Sequence, residues 1–283
     1  MIFSLWTHYG ARNSRIVFDA FELSLTDAGH EVSFNDMDAD VAVIWSVLWN
    51  GRMHGNKHVW DHYRKNNKPV IVLEVGGIKR GITWKVGLNG INRDAFFTET
   101  GNNSERASLL GLEVSPWRDD GEFILICCQH DKSLQWQNMP ATHKWLNEII
   151  TDIRKYTRRP ILVRPHPRCP IIEINNTHKE VYTQRPTLIA GSYDDYDMEF
   201  NNVHAVVNWC SNPGPQSILA GVPAFVGTSS LAYPVGNDID FVHDIENPLM
   251  PDRTQWVNDY AWTEYTLEEI AAAMPLNNLT SNL

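Results

Sequence analysis

Three basic side chains at alternate positions, Arg164, His166 and Arg168, stand in the stretch ILVRPHPR at residues 161–168. Guanidinium groups fork onto phosphate oxygens, and a histidine donates to the same oxygens. Prolines at 165 and 167 are expected to hold the backbone extended, which projects the three basic residues to one side. A solvated basic turn at a strand end is the plainer alternative. Further along, in VVNWCSNPGPQSILAGVPAFV, an apolar β-branched run stops at Ser211, and Gly214 and Pro215 open a helix. Ser211, Asn212, Gly214, Gln216 and Ser217 would cap that helix or meet a phosphate. The free N–H groups and the positive dipole end of a helix start attract anions. A capped core helix with no ligand is the alternative. Two such strand ends side by side would hold a diphosphate.

Further candidates lie at other predicted strand ends. In QHDKSLQW, Lys132 and Ser133 could reach phosphate, and His130 or Asp131 could orient a sugar. Tyr233 and Ser229, in the loop 227–237, could touch a base, ribose or sugar. Glu74 is a carboxylate inside an apolar strand, VIVLEVGG; burial raises its pKa, which suits a general acid or base. Asp94, in a loop within WKVGLNGINRDAFF, is the other candidate base. Asp94, Glu74 and His130 are therefore the candidate catalytic groups, with a structural glutamate and a solvated loop aspartate as the plainer readings.

These residues need strands to carry them. Apolar runs at 2–6, 30–36, 40–49 and 70–77 alternate with helical patterns at 15–29 and around VWDHYRKNN. Ser14 or Asn13 is positioned to cap the first helix, and Pro69 ends the second. After a polar stretch at 89–116 the pattern restarts with EFILICC, an amphipathic helix at 141–157, and the strands ILVRP, TLIAG, AVVNW and PAFVG. The tail at 252–274 reads as two short helices, the second opened by a capping box of Thr266 and Glu269. Continuous apolar strands separated by helices imply a parallel sheet covered on both faces. The expectation is two Rossmann-like doubly wound α/β domains, 1–116 and 117–283, facing across a cleft that takes its ligand at the strand ends.

Composition narrows the possibilities. The chain has 283 residues, 43 % hydrophobic and 20 % charged, with a net charge of −10. That charge disfavours a broad nucleic-acid surface but leaves room for a local basic groove. Eleven tryptophans suit core packing or shelves for sugar and base rings. The four cysteines lack metal-ligand spacing and read as reduced core thiols. The opening MIFSLWTHYG is too short and too quickly polar for a signal peptide, and no apolar run reaches membrane-span length. A cytoplasmic protein is expected, in the host cytoplasm if the chain is viral. No G-x-G-x-x-G follows the first strand, which disfavours a dinucleotide oxidoreductase.

The RPHPR strand ending and the SNPGPQSILAGVP helix start resemble the nucleotide-binding half of GT-B glycosyltransferases, the capsule-polysaccharide group above all. The tail around WVNDYAWTEYTLEEI, with QHDKSLQW and RPHPR, also resembles glycosyltransferase-like proteins of tailed phages. The resemblance covers roughly residues 120–275, while the first half matches only in its α/β pattern. It implies a GT-B fold and a nucleotide diphosphate sugar, taken as UDP-linked, as co-substrate. It implies no other cofactor and no metal. The acceptor it implies is a hydroxyl, with 5-hydroxymethylpyrimidine in bacteriophage DNA, such as hydroxymethylcytosine, as the leading reading. A capsule or surface polysaccharide is the alternative acceptor. A non-catalytic nucleotide-sugar binding protein or an epimerase stays open as well. The donor would be held by Arg164, His166, Arg168, Ser211, Asn212, Gly214, Gln216, Ser217, Lys132, Ser133 and Tyr233.

Overall fold

The structure is a computed structural model that describes the whole chain except residues 172, 173 and 175–177. It divides into two compact units, Met1–Leu110 with Asn258–Leu283, and Gly111–Val257. The N-terminal part of the first unit comprises β1 (Ile2–Leu5), α1 (Arg15–Asp27), β2 (Glu31–Phe34), β3 (Val41–Trp45), α2 (Asn56–Lys65), β4 (Val70–Val75), β5 (Trp84–Leu88) and α3 (Glu105–Leu109). The second unit carries β6 (Phe123–Cys127), α4 (Thr142–Ile153), β7 (Ile161–Arg164), β8 (Val181–Thr183), β9 (Val203–Asn208), α5 (Pro213–Leu219), β10 (Ala224–Val226) and β11 (Asn237–Asp238). Helix α6 (Thr254–Tyr260) then leads back to β12 (Glu264–Tyr265), α7 (Leu267–Ala271) and α8 (Met274–Leu279) in the first unit.

The first sheet has the order β12-β5-β4-β3-β1-β2. Strands β1 to β4 are parallel, and all five residues of β3 are buried, as a central strand covered on both faces requires. Strand β5, absent from the sequence reading, runs antiparallel to β4, and β12 runs antiparallel to β5. The second sheet has the order β11-β10-β9-β6-β7-β8 and is parallel throughout. Counted from β6, this is the 3-2-1-4-5-6 order of dinucleotide-binding folds, and its order reverses between β6 and β9. The expected strand TLIAG is not one; it contributes an isolated bridge between Leu188 and Tyr196, and the edge strand is β8 instead.

The tail departs from the expected boundary. Tyr265, Ile270, Leu276 and Leu279 join Phe3, Val17, Phe21 and Leu25 in the core of the first unit. Fully burying each such side chain is worth roughly 1.5–3 kcal/mol, so the tail stays where an apolar face awaits it. The Thr266–Glu269 capping box forms as expected and starts α7. Arg106, buried in α3, fixes the same segment through the carboxylate of Glu269 and the carbonyls of Ala261 and Glu264. A separate core around Ile124, Ile126, Leu146, Ile150, Val163, Val207 and Phe225 holds the second unit. Among the described residues no helix is long and apolar enough to cross a membrane.

Candidate functional site

The second sheet lines up its strand ends. Arg164 of β7 pairs with Cys127 of β6, Cys127 pairs with Asn208 of β9, and Asn208 pairs with Val226 of β10. The loops that follow these residues therefore emerge together at the carboxyl edge, beside the reversal between β6 and β9, where open α/β sheets bind ligands.

After β6 comes Gln129, a buried residue whose amide ties two of these loops together. Its Nε2 donates to Ser133 Oγ at 2.8 Å, and its Oε1 accepts from Cys210 N at 3.3 Å. Ser133 is consequently buried as a loop brace, whereas Lys132 is exposed. His130 is 4 % exposed, and burial lowers its pKa although Asp131 pulls the other way. Its Nδ1 lies 3.1 Å from Asp131 Oδ1 and accepts the Lys132 N–H at 3.2 Å. Its ring meets that of His166 edge to face at 5.2 Å, so β6 and β7 bring the two imidazoles together.

The RPHPR segment is a turn rather than the extended run that alternating prolines suggested. Strand β7 stops at Arg164, and Cys169 N donates to His166 O at 2.9 Å. The Arg168 N–H also closes onto His166 Nδ1 at 3.1 Å. Arg164 is buried and points its guanidinium at the Asp197 carbonyl and, at 2.9 Å, the Asp197 carboxylate. Arg168 is partly exposed, 5.5 Å over the Tyr193 ring and 3.9 Å from an Asp194 oxygen. Arg164 thus braces the loop, and Arg168 is the guanidinium with solvent-facing freedom.

The helix start expected to offer free N–H groups has few to offer. Helix α5 begins at Pro213 and has seven residues. Pro213 and Pro215 carry no N–H; Gly214 N donates to Ser211 O, and Gln216 N to Asn212 O, each at 3.1 Å. Asn212 occupies the cap position without a side-chain cap bond, and the Ser217 hydroxyl donates to Gly214 O. Gly214 lies close against the sheet, where a Cβ would stand 3.2 Å from Asn208 Oδ1. Tyr233 is half-buried and donates its hydroxyl to Asp238 at 2.9 Å.

Asn208 escaped the sequence reading. It is fully buried, and its Nδ2 donates to Cys127 O at 3.1 Å and Ser211 Oγ at 2.7 Å. Its Oδ1 is buried with no hydrogen-bond partner among the described residues. An orphaned acceptor of that kind costs about 1–3 kcal/mol and calls for an explanation beyond core packing. The signal was present in sequence: a single asparagine ending the run HAVVN.

His130, Asp131 and Cys169 each offer one ligand atom to a common point, all within 4.8 Å of one another. Two of these come from consecutive residues, and Lys132 and Arg168 stand close enough to depress the His130 pKa by their charge. The Asp131 carboxylate at 3.1 Å acts on His130 in the opposite sense, so both signs of charge meet at this point. The remaining thiols are inert core groups; burial pushes Cys127 up to about 12.

In the first unit, Glu74 sits at the carboxyl end of β4. Burial raises its pKa against hydrogen bonds from Ser46 and from the Val75 N–H, the latter at 2.8 Å. Asp94 is exposed and follows β5, which runs antiparallel to β4. It therefore lies at the opposite edge of that sheet from Glu74, and the two candidate bases are not neighbours.

Fold and site together define a two-unit Rossmann-like α/β protein with a basic cluster at the strand-order reversal of its second unit. No protein-family model and no curated protein sequence matches the chain. Among solved structures it is similar to Thermosulfurimonas dismutans KpsC, beta Kdo 2,7 transferase, with a TM-score of 0.52 at 15 % identity over 99 % of this chain and 100 % of that one. It is also similar to the beta Kdo 2,4 transferase of the same KpsC, with a TM-score of 0.49 at 11 % identity over 97 % of this chain and 98 % of that one. The likeness shows a shared fold, two Rossmann-like α/β units, and by itself no activity.

Proposed function

We propose that the chain transfers a sugar from a nucleotide-linked donor, held by the second unit, to a hydroxyl of a saccharide. The observation that carries this reading is the meeting of His130, Lys132, His166 and Arg168 at the ends of β6 and β7, beside the order reversal. When a sugar–phosphate bond breaks, negative charge grows on the leaving phosphate oxygens. Donors fixed beforehand at that point lower the barrier. Lys132 and Arg168 supply the charge, and His166 supplies a ring N–H. Burial biases His130 to the neutral form, and Asp131 beside its Nδ1 pulls the other way. With the charge met by these side chains, the reading uses no metal ion.

A saccharide acceptor is preferred to DNA. The structural likeness is to an enzyme named for saccharide transfer, a Kdo transferase, and the chain's net charge is −10. Nothing in the fold favours a hydroxymethylpyrimidine. The test is binding of UDP, CMP and GDP by calorimetry, followed by mass spectrometry of products from nucleotide sugars with oligosaccharides or with hydroxymethylcytosine DNA. Lys132→Ala and Arg168→Ala should each weaken nucleotide binding by about tenfold, the loss of roughly one charge-assisted contact. Their melting temperatures should stay unchanged, because both side chains reach solvent. Unaltered nucleotide affinity in both variants, or a sugar changed in the absence of any acceptor, would sink the transferase reading.

A further inference from the structure

The first unit has its own order reversal, between β1 and β3, because β2 returns to the far side of β1. A cavity of about 440 Å³ opens there, lined by Thr7, His8, Arg12, Arg15, Asn35 and Arg52 among others. Thr7 and His8 follow β1, Asn35 follows β2, and Arg52 comes from the loop after β3. The cavity thus sits at the carboxyl edge of the sheet, where this class of fold takes ligands.

Its chemistry is one-sided. Three guanidinium groups and an imidazole line it, and no carboxylate does. That is unexpected in a chain with 34 acidic and 24 basic residues. Arg15 is partly neutralised by Asp19 at 3.1 Å, but Arg12 and Arg52 have no carboxylate partner among the described residues. The thirteen-residue helix α1 also starts at this wall. Ser14 does not cap it with its side chain; the hydroxyl donates to Ala11 O at 2.8 Å instead, and the Val17 and Phe18 N–H groups close onto Ser14 O at 3.0 Å. Gly10 makes the tight approach possible, since a Cβ there would stand 2.2 Å from Ser14 Oγ. Like charges gathered without counter-ions repel one another, and an anion relieves that repulsion while each guanidinium can fork onto its oxygens.

We infer that this cavity is a second anion site, distinct from the cluster of the second unit, and that it takes the phosphate or carboxylate group of a small ligand. Its assignment to the acceptor rests on the transferase reading and makes that acceptor an anionic saccharide; the anion site itself does not depend on it.

The test is arginine labelling of the full chain with p-hydroxyphenylglyoxal, mapped by peptide mass spectrometry. Inorganic phosphate, glucuronate, glucose and chloride are compared at equal ionic strength. Phosphate or glucuronate should slow labelling of Arg12 and Arg52 at least about threefold, as expected when a forked guanidinium contact forms. Glucose and chloride should not, and exposed Arg185 of the second unit should label at one rate throughout. The phosphate and glucuronate arms tell a phosphorylated ligand from a sugar acid. Arg52→Gln, at an exposed position where folding is not at stake, should abolish protection of Arg12, whereas Arg168→Ala should leave it intact. Equal protection by chloride, or protection of Arg12 that survives Arg52→Gln, overturns the site. Should nucleotide sugars prove inert while Arg12 and Arg52 are still protected, the transferase reading fails and the anion site stands.

Discussion

Replacing Arg106 by methionine should be among the most damaging single changes in the first unit. Its side chain is 3 % exposed and makes a two-pronged contact with Glu269 at 2.8 and 2.9 Å. It also donates to Ala261 O at 2.8 Å and lies 4.7 and 4.6 Å from the Trp262 and Tyr265 rings. Methionine fills much of the volume but leaves the Glu269 carboxylate and two carbonyls without their donor. Removing one partner of a buried pair costs about 3–5 kcal/mol. Lysine keeps the charge without the planar fork, and Arg106→Lys should cost roughly 1–3 kcal/mol. The assay is urea unfolding, with limited proteolysis reporting release of residues 258–283. A cycle with Glu269→Gln should show coupling of about 0.5–3 kcal/mol. The penalty should also depend on pH. Burial alone would raise the Glu269 carboxyl, but Arg106 and the Thr266 N–H hold it below its usual value. A depressed carboxylate stabilises the fold above its unfolded pKa and loses that contribution as pH falls through the folded one. The cost of Arg106→Met should therefore shrink in acid. A cost below about 1 kcal/mol at neutral pH, or strict additivity with Glu269→Gln, would refute the claim that this ion pair fastens the tail.

Two further outcomes are expected. Glu74 has a raised pKa, so its charged form burdens the fold once pH rises through that value; Glu74→Gln should raise the melting temperature at alkaline pH and change little at pH 4. An equal shift at both pH values would show that burial of the charge is not the cause. Gly221 has φ +77°, and a Cβ would stand 2.1 Å from Pro116 O, so Gly221→Ala should lower stability by about 1–3 kcal/mol or more. A melting temperature within a degree of the parent protein would mean that the 115–118 segment yields freely.

The geometry of the candidate site was legible in part. Loops rich in His, Lys and Arg after apolar runs marked the ends of β6 and β7 correctly, because a parallel sheet delivers every strand end to one edge. What each side chain does there was not legible. Arg164 and Arg168 look alike in RPHPR, yet Asp197, a residue 33 positions later, claims the first. Ser133 and Ser217 look like phosphate ligands and prove to be internal braces. Gln129 and Asn208 looked unremarkable and hold the loops together.

Sequence alone determined the alternation of strands and helices, the capping box at Thr266, the burial of β3 and the absence of a long apolar helix, since all of these follow from the order of side chains along a few turns or pleats. Tertiary structure decided where the tail packs, that β5 turns antiparallel and so carries Asp94 away from Glu74, and which arginines keep their charge available. Those outcomes depend on partners far apart in the chain. An amphipathic helix announces that it needs an apolar neighbour, and a guanidinium that it needs an acceptor, but neither pattern names the residue that will answer.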